Sequence, residues 1–139
     1  MSVERNKTLI RHLHEEVWTR GNAASITEIY ALEFICHLPA GPRWMDVKGA
    51  EKFVIDHRTS FPDWSEHIDD IIAEGDEVVT RYTSHGTHKG EFMGFAPTNK
   101  QVWINEISIY RIADGKVIEQ WAFPDMQGLL RQIQGSNEG

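Results

Sequence analysis

The chain has 139 residues, with 21 Asp and Glu against 14 Lys and Arg and a formal charge of -7. That length suits one domain spanning 1–139. The acidic balance, with no Lys/Arg cluster, excludes the phosphate-neutralising surface of a nucleic-acid binder and argues against an anionic membrane surface as partner.

The single cysteine, Cys36, excludes an intrachain disulfide. The polar start MSVERNKT lacks the apolar core of a signal peptide, and no apolar run of about 18 residues is present, so no membrane span and a cytoplasmic setting are expected. In chain order, Ile10, Leu13 and Val17 recur at helical spacing, Trp18 widens the stripe, and Gly21 in WTRGN supplies a stop, which predicts a first helix to about Arg20. Asn22 can cap a short second helix carrying Ile26, Ile29 and Tyr30, with Ser25 and Glu28 as a competing capping box. LEFICHLP reads as an extended run ended by Pro39, and GPRWMDVKG as loop. A third helix is expected from about Gly49, with Ala50, Phe53, His57 and Phe61 on one face before FPD breaks it.

The second half reads as strands. HIDDIIAE and EVVTRYTSHGTH flank the turn EGDE, and QVWINEISIYRI and KVIEQWAF flank the turn ADGK, two hairpin signatures. MQGLLRQIQ is a short closing helix, and the tail QGSNEG reads as disordered. Helices first and an antiparallel sheet second predict an α+β fold, with the helices on one face of a curved sheet and a pocket between the layers.

The register of the last hairpin decides which residues meet that pocket. A two-residue Asp114-Gly115 turn pairs Ala113 with Lys116, whereas a bulge at Gly115 pairs Ile112 with Lys116. Under the bulged register Trp121, Phe123 and Asp125 share a face with Trp103, Asn105, Ile107 and Ile109; under the other they share it with Ile104, Glu106, Ser108 and Tyr110. The first face is nearly all apolar, so hydrophobic patterning favours it as the inner one. Asp125 then stands at the rim of an aromatic wall, where lost hydration raises its pKa toward neutrality. The same residue after a proline is also an ordinary N-cap for the closing helix.

Other polar constellations point to structure. His85 and His88, three apart on a strand, face opposite ways, so no metal site is expected from them with His37. His57 belongs to the core or the pocket edge; His12, His14 and His67 read as solvated. Cys36 beside His37 reads as a small buried hydrophobe, since strand neighbours diverge. Asp69 and Asp70 alternate faces and make no dyad, and Arg111 reads as bracing the turn.

FPDW, GTHKGEFMGFAPTNK, IYRIADGKVIEQW, the following Asp125 and GLLRQI together resemble the SnoaL-like polyketide cyclases (ester cyclases) of the nuclear transport factor two-like superfamily, over most of the chain from WTRGN to RQI. The resemblance implies a cone-shaped α+β barrel and a homodimer. It implies an acid/base aspartate beyond the tryptophan of the last strand, matched by Asp125, and family histidines matched by His37 in FICHLP and His88 in GTHKG. Where many relatives have a second histidine beside the first and PTG in the long loop, this chain has Leu38 and PTN.

The implied chemistry is an intramolecular aldol closure without metal or organic cofactor. A carboxylate removes a proton between two carbonyls, the enolate attacks a second carbonyl, and the acid returns the proton. Trp121, Phe123, Asn105, Tyr82, Phe92 and Trp103 are the expected walls for a small hydrophobic carbonyl or aromatic-precursor ligand, with His88 as a hydrogen-bond donor to the enolate. The alternatives are an isomerase or dehydratase working by proton transfer, and a noncatalytic ligand-binding module of the same fold.

Overall fold

The computed structural model describes residues 2–39 and 43–135. Residues 41–42 of the GPRWMDVKG segment, together with Ala40 before it, and the end of the tail, 136–139, lie outside the described residues.

Ser2 caps α1 (Val3–His12), its Oγ accepting the Arg5 N–H at 3.0 Å. The helix then widens into a π-helical segment, Leu13–Thr19, and ends before Gly21 at φ 67. The wider turn brings Leu13, His14, Val17 and Trp18 inside together. His14 is therefore buried, against the expectation that it is solvated. Asn22 wins the capping contest, accepting the Ala24 N–H at 3.2 Å to start a 3-10 turn at Ala23–Ser25 that leads into one turn of helix, α2 (Ile26–Ile29). Tyr30 leaves helical geometry and opens β1 (Tyr30–His37). After β2 (Arg43–Met45), α3 runs Asp46–Ser60, starting three residues before the expected Gly49 because the Asp46 carboxylate accepts the Gly49 N–H at 2.9 Å.

The strands β3 (Ser65–Glu74), β4 (Glu77–Thr87), β5 (Gln101–Ala113) and β6 (Lys116–Pro124) follow where the alternation placed them, and α4 (Met126–Gln134) closes the chain. The sheet order is β2-β1-β6-β5-β4-β3, with β1 parallel to β6 and the other neighbours antiparallel. Helices on one side of this curved, unclosed sheet make the α+β cone.

The last hairpin combines features of both expected registers. Asp114 and Gly115 both have positive φ (52 and 75), a tight two-residue turn pairing Ala113 with Lys116. The ladder then shifts: Ile112 pairs with Val117 but Arg111 with Glu119, so Ile118 is bulged out. Beyond the bulge Ile109 faces Trp121 and Ile107 faces Phe123. These residues do share a face, but it is the outer one. Trp103, Ile107 and Phe123 are 51%, 44% and 48% exposed, while Ile104, Ser108 and Tyr110 are buried.

Two apolar clusters fill the space between layers. The larger joins the N-terminal helices and α3 to β1 and the turn end of the sheet; the smaller gathers Phe61, Trp64, Val102, Ile104, Leu129 and Ile133 under α4. The loop after β4 is pinned to the end of α3: the N–H groups of Lys89 and Gly90 both donate to the Ser60 carbonyl, at 2.9 and 3.1 Å. A Cβ at Gly90 would overlap the Thr59 carbonyl oxygen. Gly90→Ala is expected to destabilise the fold by about 1–3 kcal/mol, as overpacking does, read as a lower urea midpoint at unchanged m-value; an unchanged midpoint would mean that this loop is not pinned so closely.

Candidate functional site

Between the two clusters the layers leave a cavity of about 120 Å³. Its walls are mostly apolar: Trp18, Trp64, Phe92, Ile104 and Leu129 among them. Four groups break that pattern, Glu66, Tyr82, Glu106 and Gln120, with His57 and Cys36 completing the polar and polarisable set. Strand alternation puts them there, since Tyr82, Ser84, Glu106, Ser108 and Gln120 occupy inward positions of β4, β5 and β6. A wider hollow of about 500 Å³ adjoins the cavity, sharing Phe53, His57 and Phe92 with it.

A continuous hydrogen-bond network backs the cavity. Glu66 Oε1 meets His14 Nδ1 at 2.7 Å, and Trp64 Nε1 donates to Glu66 Oε2 at 3.1 Å. Both members of the His14–Glu66 pair are enclosed, with side chains 3% and 6% exposed. The other ring nitrogen of His14 meets Thr80 Oγ1 and the Tyr110 hydroxyl, each at 3.1 Å. Farther along, Ser84 Oγ donates to Glu106 Oε2 at 2.7 Å and the Tyr82 hydroxyl to Glu106 Oε1 at 3.3 Å. Tyr82 also meets Ser108 Oγ at 2.9 Å, and Gln120 Nε2 donates to Ser108 at 3.3 Å.

Burial dominates the electrostatics. Loss of water, reinforced by the nearby Glu66 charge, pushes the Glu106 carboxyl up to about 8, so it is largely neutral at pH 7. Burial also holds the Tyr82 and Tyr110 phenols protonated. His57 is pushed down to about 4 by burial and by neighbouring Arg58, leaving a neutral imidazole edge-on to Trp64 at 4.2 Å. The Cys36 thiol is raised to about 12 by burial, which makes it a poor nucleophile. Among the described residues no group of three or more His, Cys, Asp or Glu is placed to hold a metal ion.

Tyr82 and Phe92 line the cavity as expected. Trp103, Asn105, Trp121 and Phe123 do not: the bulge at Ile118 and the inward turn of Glu106 place all four on the outer face, where Trp103 stacks on His85 and Asn105 Oδ1 accepts from Thr83. The patterning argument chose the wrong inner face because the true one carries polar groups that satisfy one another. His37 also points outward, bonded to Glu119 at 2.8 Å and stacked on Trp121. His88 is fully buried behind Phe61, with Nδ1 accepting the Thr98 N–H at 3.3 Å, so it braces the 88–99 loop. Asp125 lies between two lining residues, Pro124 and Met126, and its Oδ1 accepts the Gly128 N–H at 3.0 Å as the N-cap of α4. Asp125 itself is exposed, and it is not among the residues that line the cavity.

Sequence reasoning missed Glu66, Glu106 and Gln120 as cavity residues. One signal was present: Glu106, Ser108 and Tyr110 alternate with apolar residues on β5, a polar stripe inside a strand otherwise fit for burial.

An α+β cone with an acid-bearing apolar cavity between its layers defines a protein of the nuclear transport factor two-like superfamily. Residues 8–133 match the family model for SnoaL-like polyketide cyclase, and the chain belongs to that family. It is 26% identical over 122 residues to the aklanonic acid methyl ester cyclase AcmA of Streptomyces galilaeus, covering 85% of this chain and 83% of that protein. To the nogalonic acid methyl ester cyclase of Streptomyces nogalater it is 37% identical over 63 residues, which span 45% of this chain and 47% of that protein. Its fold superposes on AclR of Streptomyces galilaeus, a candidate hydroxylase, with a TM-score of 0.86 at 27% identity, covering 99% of this chain and 86% of the other. None of the helices among the described residues is long and apolar enough to cross a membrane.

The raised Glu106 carboxyl carries a stability signature. The fold holds this proton more tightly than the unfolded chain, so its contribution is fully present below about pH 4.5 and is lost as pH rises through about 8. Glu106→Gln keeps the acceptor for Ser84 and removes the titration. Relative to wild type, the variant should gain stability steadily between those pH values, by up to a few kcal/mol. Urea unfolding of both proteins across that range measures the difference; parallel curves would mean that Glu106 ionises like a surface carboxylate.

Proposed function

We propose that this protein closes a ring in a polyketide-type ester by an intramolecular aldol step, with Asp125 as the acid/base. The observation that carries the reading is the cavity: apolar walls with carboxyl groups and neutral donors inside, and an exposed carboxylate, Asp125, adjacent in sequence to the lining residues Pro124 and Met126. Among the described residues Lys and Arg are absent from its lining. A substrate carboxylate brought here would give up its hydration beside the Glu66 charge, whereas an ester carries no charge to desolvate, and the two curated relatives are named as methyl ester cyclases. The cavity is smaller than the roughly 300–1,000 Å³ usual for drug-sized ligands. It therefore takes the reacting end of the substrate, while the rest extends into the hollow beyond Phe53, His57 and Phe92.

In this reading Asp125 removes a proton from carbon flanked by two carbonyls and returns it to the alkoxide formed at ring closure. Enclosure of the reacting end keeps water from the enolate and holds the two carbons near each other, which removes much of the entropic barrier. A second reading rests on the bond from Gly128 to Asp125: a carboxylate engaged only as a helix cap would leave a noncatalytic ligand-binding module.

Asp125→Asn separates the readings, because asparagine still caps a helix but takes no proton. With a polyketide methyl ester as substrate, turnover should fall by about a hundred- to ten-thousandfold at unchanged thermal stability; wild-type turnover in this variant would leave Asp125 as a cap alone.

The outer face of the sheet supports a homodimer. Trp103, Ile107 and Phe123 stand exposed there beside Val79, Arg81, Thr83 and His85, an apolar centre with a polar margin. Light scattering at micromolar concentration should give the mass of a dimer for wild type and of a monomer for Phe123→Asp. A monomeric wild type rejects the assembly.

A further inference from the structure

We propose that Glu106 is a second catalytic residue of this cavity: a neutral carboxylic acid whose O–H, beside the Tyr82 phenol, binds the carbonyl oxygen on which negative charge develops. The proposal rests on the carbonyl-enolising reading of the site and adds the group that makes the enolate accessible.

Three observations support it. First, Ser84 Oγ and the Tyr82 hydroxyl approach the Glu106 oxygens as donors. A neutral Glu106 therefore has an O–H of its own to direct into the cavity that it lines. Second, Gln120, 4% exposed and lining the same cavity, has an amide oxygen with no hydrogen-bond partner among the described residues. An unpaired buried acceptor along from a buried donor marks a surface made for a ligand bearing several oxygens. Third, Glu106 pairs in the ladder with Pro124, the residue before Asp125. The acid inside the cavity and the exposed carboxylate of the proposed base thus belong to the same end of the sheet, where the Asp125 N–H donates to the Asn105 carbonyl.

The other titratable groups facing the cavity fit this assignment. Glu66 is held by His14 and Trp64, Cys36 is a poor nucleophile, and His57 is neutral at pH 7. Burial keeps the Glu106 proton in place near neutrality, the arrangement by which a carboxylic acid serves as a hydrogen-bond donor to an enolate.

The steps balance without a co-reactant. Asp125 takes the proton from the carbon between the carbonyls, and the C–H electron pair moves through the new C=C bond onto the carbonyl oxygen, which Glu106 and Tyr82 hold by hydrogen bonds. The carbonyl re-forms as the enolate carbon attacks the second carbonyl carbon, making the C–C bond and an alkoxide. The alkoxide takes the proton from Asp125. Glu106 ends as it began, protonated.

Two measurements on the intact protein test this. Infrared spectra at pH 7 of wild type and Glu106→Gln should differ by one protonated carboxyl band, present only in wild type. 4-Nitrophenolate, whose absorbance reports its ionisation, serves as a stable enolate mimic. Wild type should bind it, and Glu106→Leu should weaken binding by about ten- to a hundredfold, as expected for a hydrogen bond to a charged group. Absence of the carboxyl band, failure of wild type to bind the phenolate, or equal affinity in a folded Glu106→Leu protein overturns the proposal. If both signatures appear but no polyketide methyl ester is turned over, the donor stands and the cyclase reading falls.

Discussion

Everything in this site depends on one irregularity in the last hairpin. The tight turn at Asp114-Gly115 and the bulge at Ile118 together set which side of β5 and β6 faces the helices. That choice sends Glu106, Ser108, Tyr110 and Gln120 inward and leaves Trp103, Ile107, Trp121 and Phe123 outside. Once inward, the polar groups must be matched, because a buried donor or acceptor left alone costs about 1–3 kcal/mol. The π-helical segment answers part of this demand by carrying His14 to Glu66, Thr80 and Tyr110. β4 answers the rest with Tyr82 and Ser84.

The same network explains why a cavity persists between two packed clusters. A fully apolar seam would close to interior density, since each void forfeits dispersion contacts. Here one edge of the seam is a row of hydroxyls, carboxyls and an amide that cannot be packed by methyl groups without being stranded. The cavity is therefore shaped by polar groups on β4 to β6 and widened by aromatic rings from the helices. In the proposed reaction, low polarity around it would strengthen each hydrogen bond to developing charge, and the exclusion of water would protect a carbanion-like intermediate. Stability is traded for this arrangement, with a carboxylic acid and a neutral histidine kept away from the ionised forms that water would favour.

Much of the frame was legible in the primary structure. Hairpin turns at EGDE and ADGK, helical spacing in the first twenty residues, and the capping Asp before the last helix all stand where periodicity and turn chemistry placed them, because these signals act within a few residues. Tyr82 and Phe92 were likewise assigned to the cavity from strand alternation and motif resemblance. The errors share one origin. Patterning assumes that the more apolar face of a strand turns inward, and here the inner face carries polar groups that bond one another while the more apolar face stays exposed. His14 was misassigned for a related reason: its burial depends on a partner, Glu66, 52 residues away.

By itself, then, the sequence determined the fold class, the order of elements apart from β2 in the segment read as loop, the turns, and the place of Asp125 at the end of an aromatic strand. These follow from local propensity and from motifs confined to short windows. The tertiary structure alone decided which of two alternating faces is the inside, and hence that Glu66, Glu106 and Gln120 rather than the tryptophans of β5 and β6 meet the cavity. The physical reason is parity: in a strand a single bulged residue exchanges inside for outside, and whether the polar side can be buried depends on hydrogen-bond partners that only folding brings within reach.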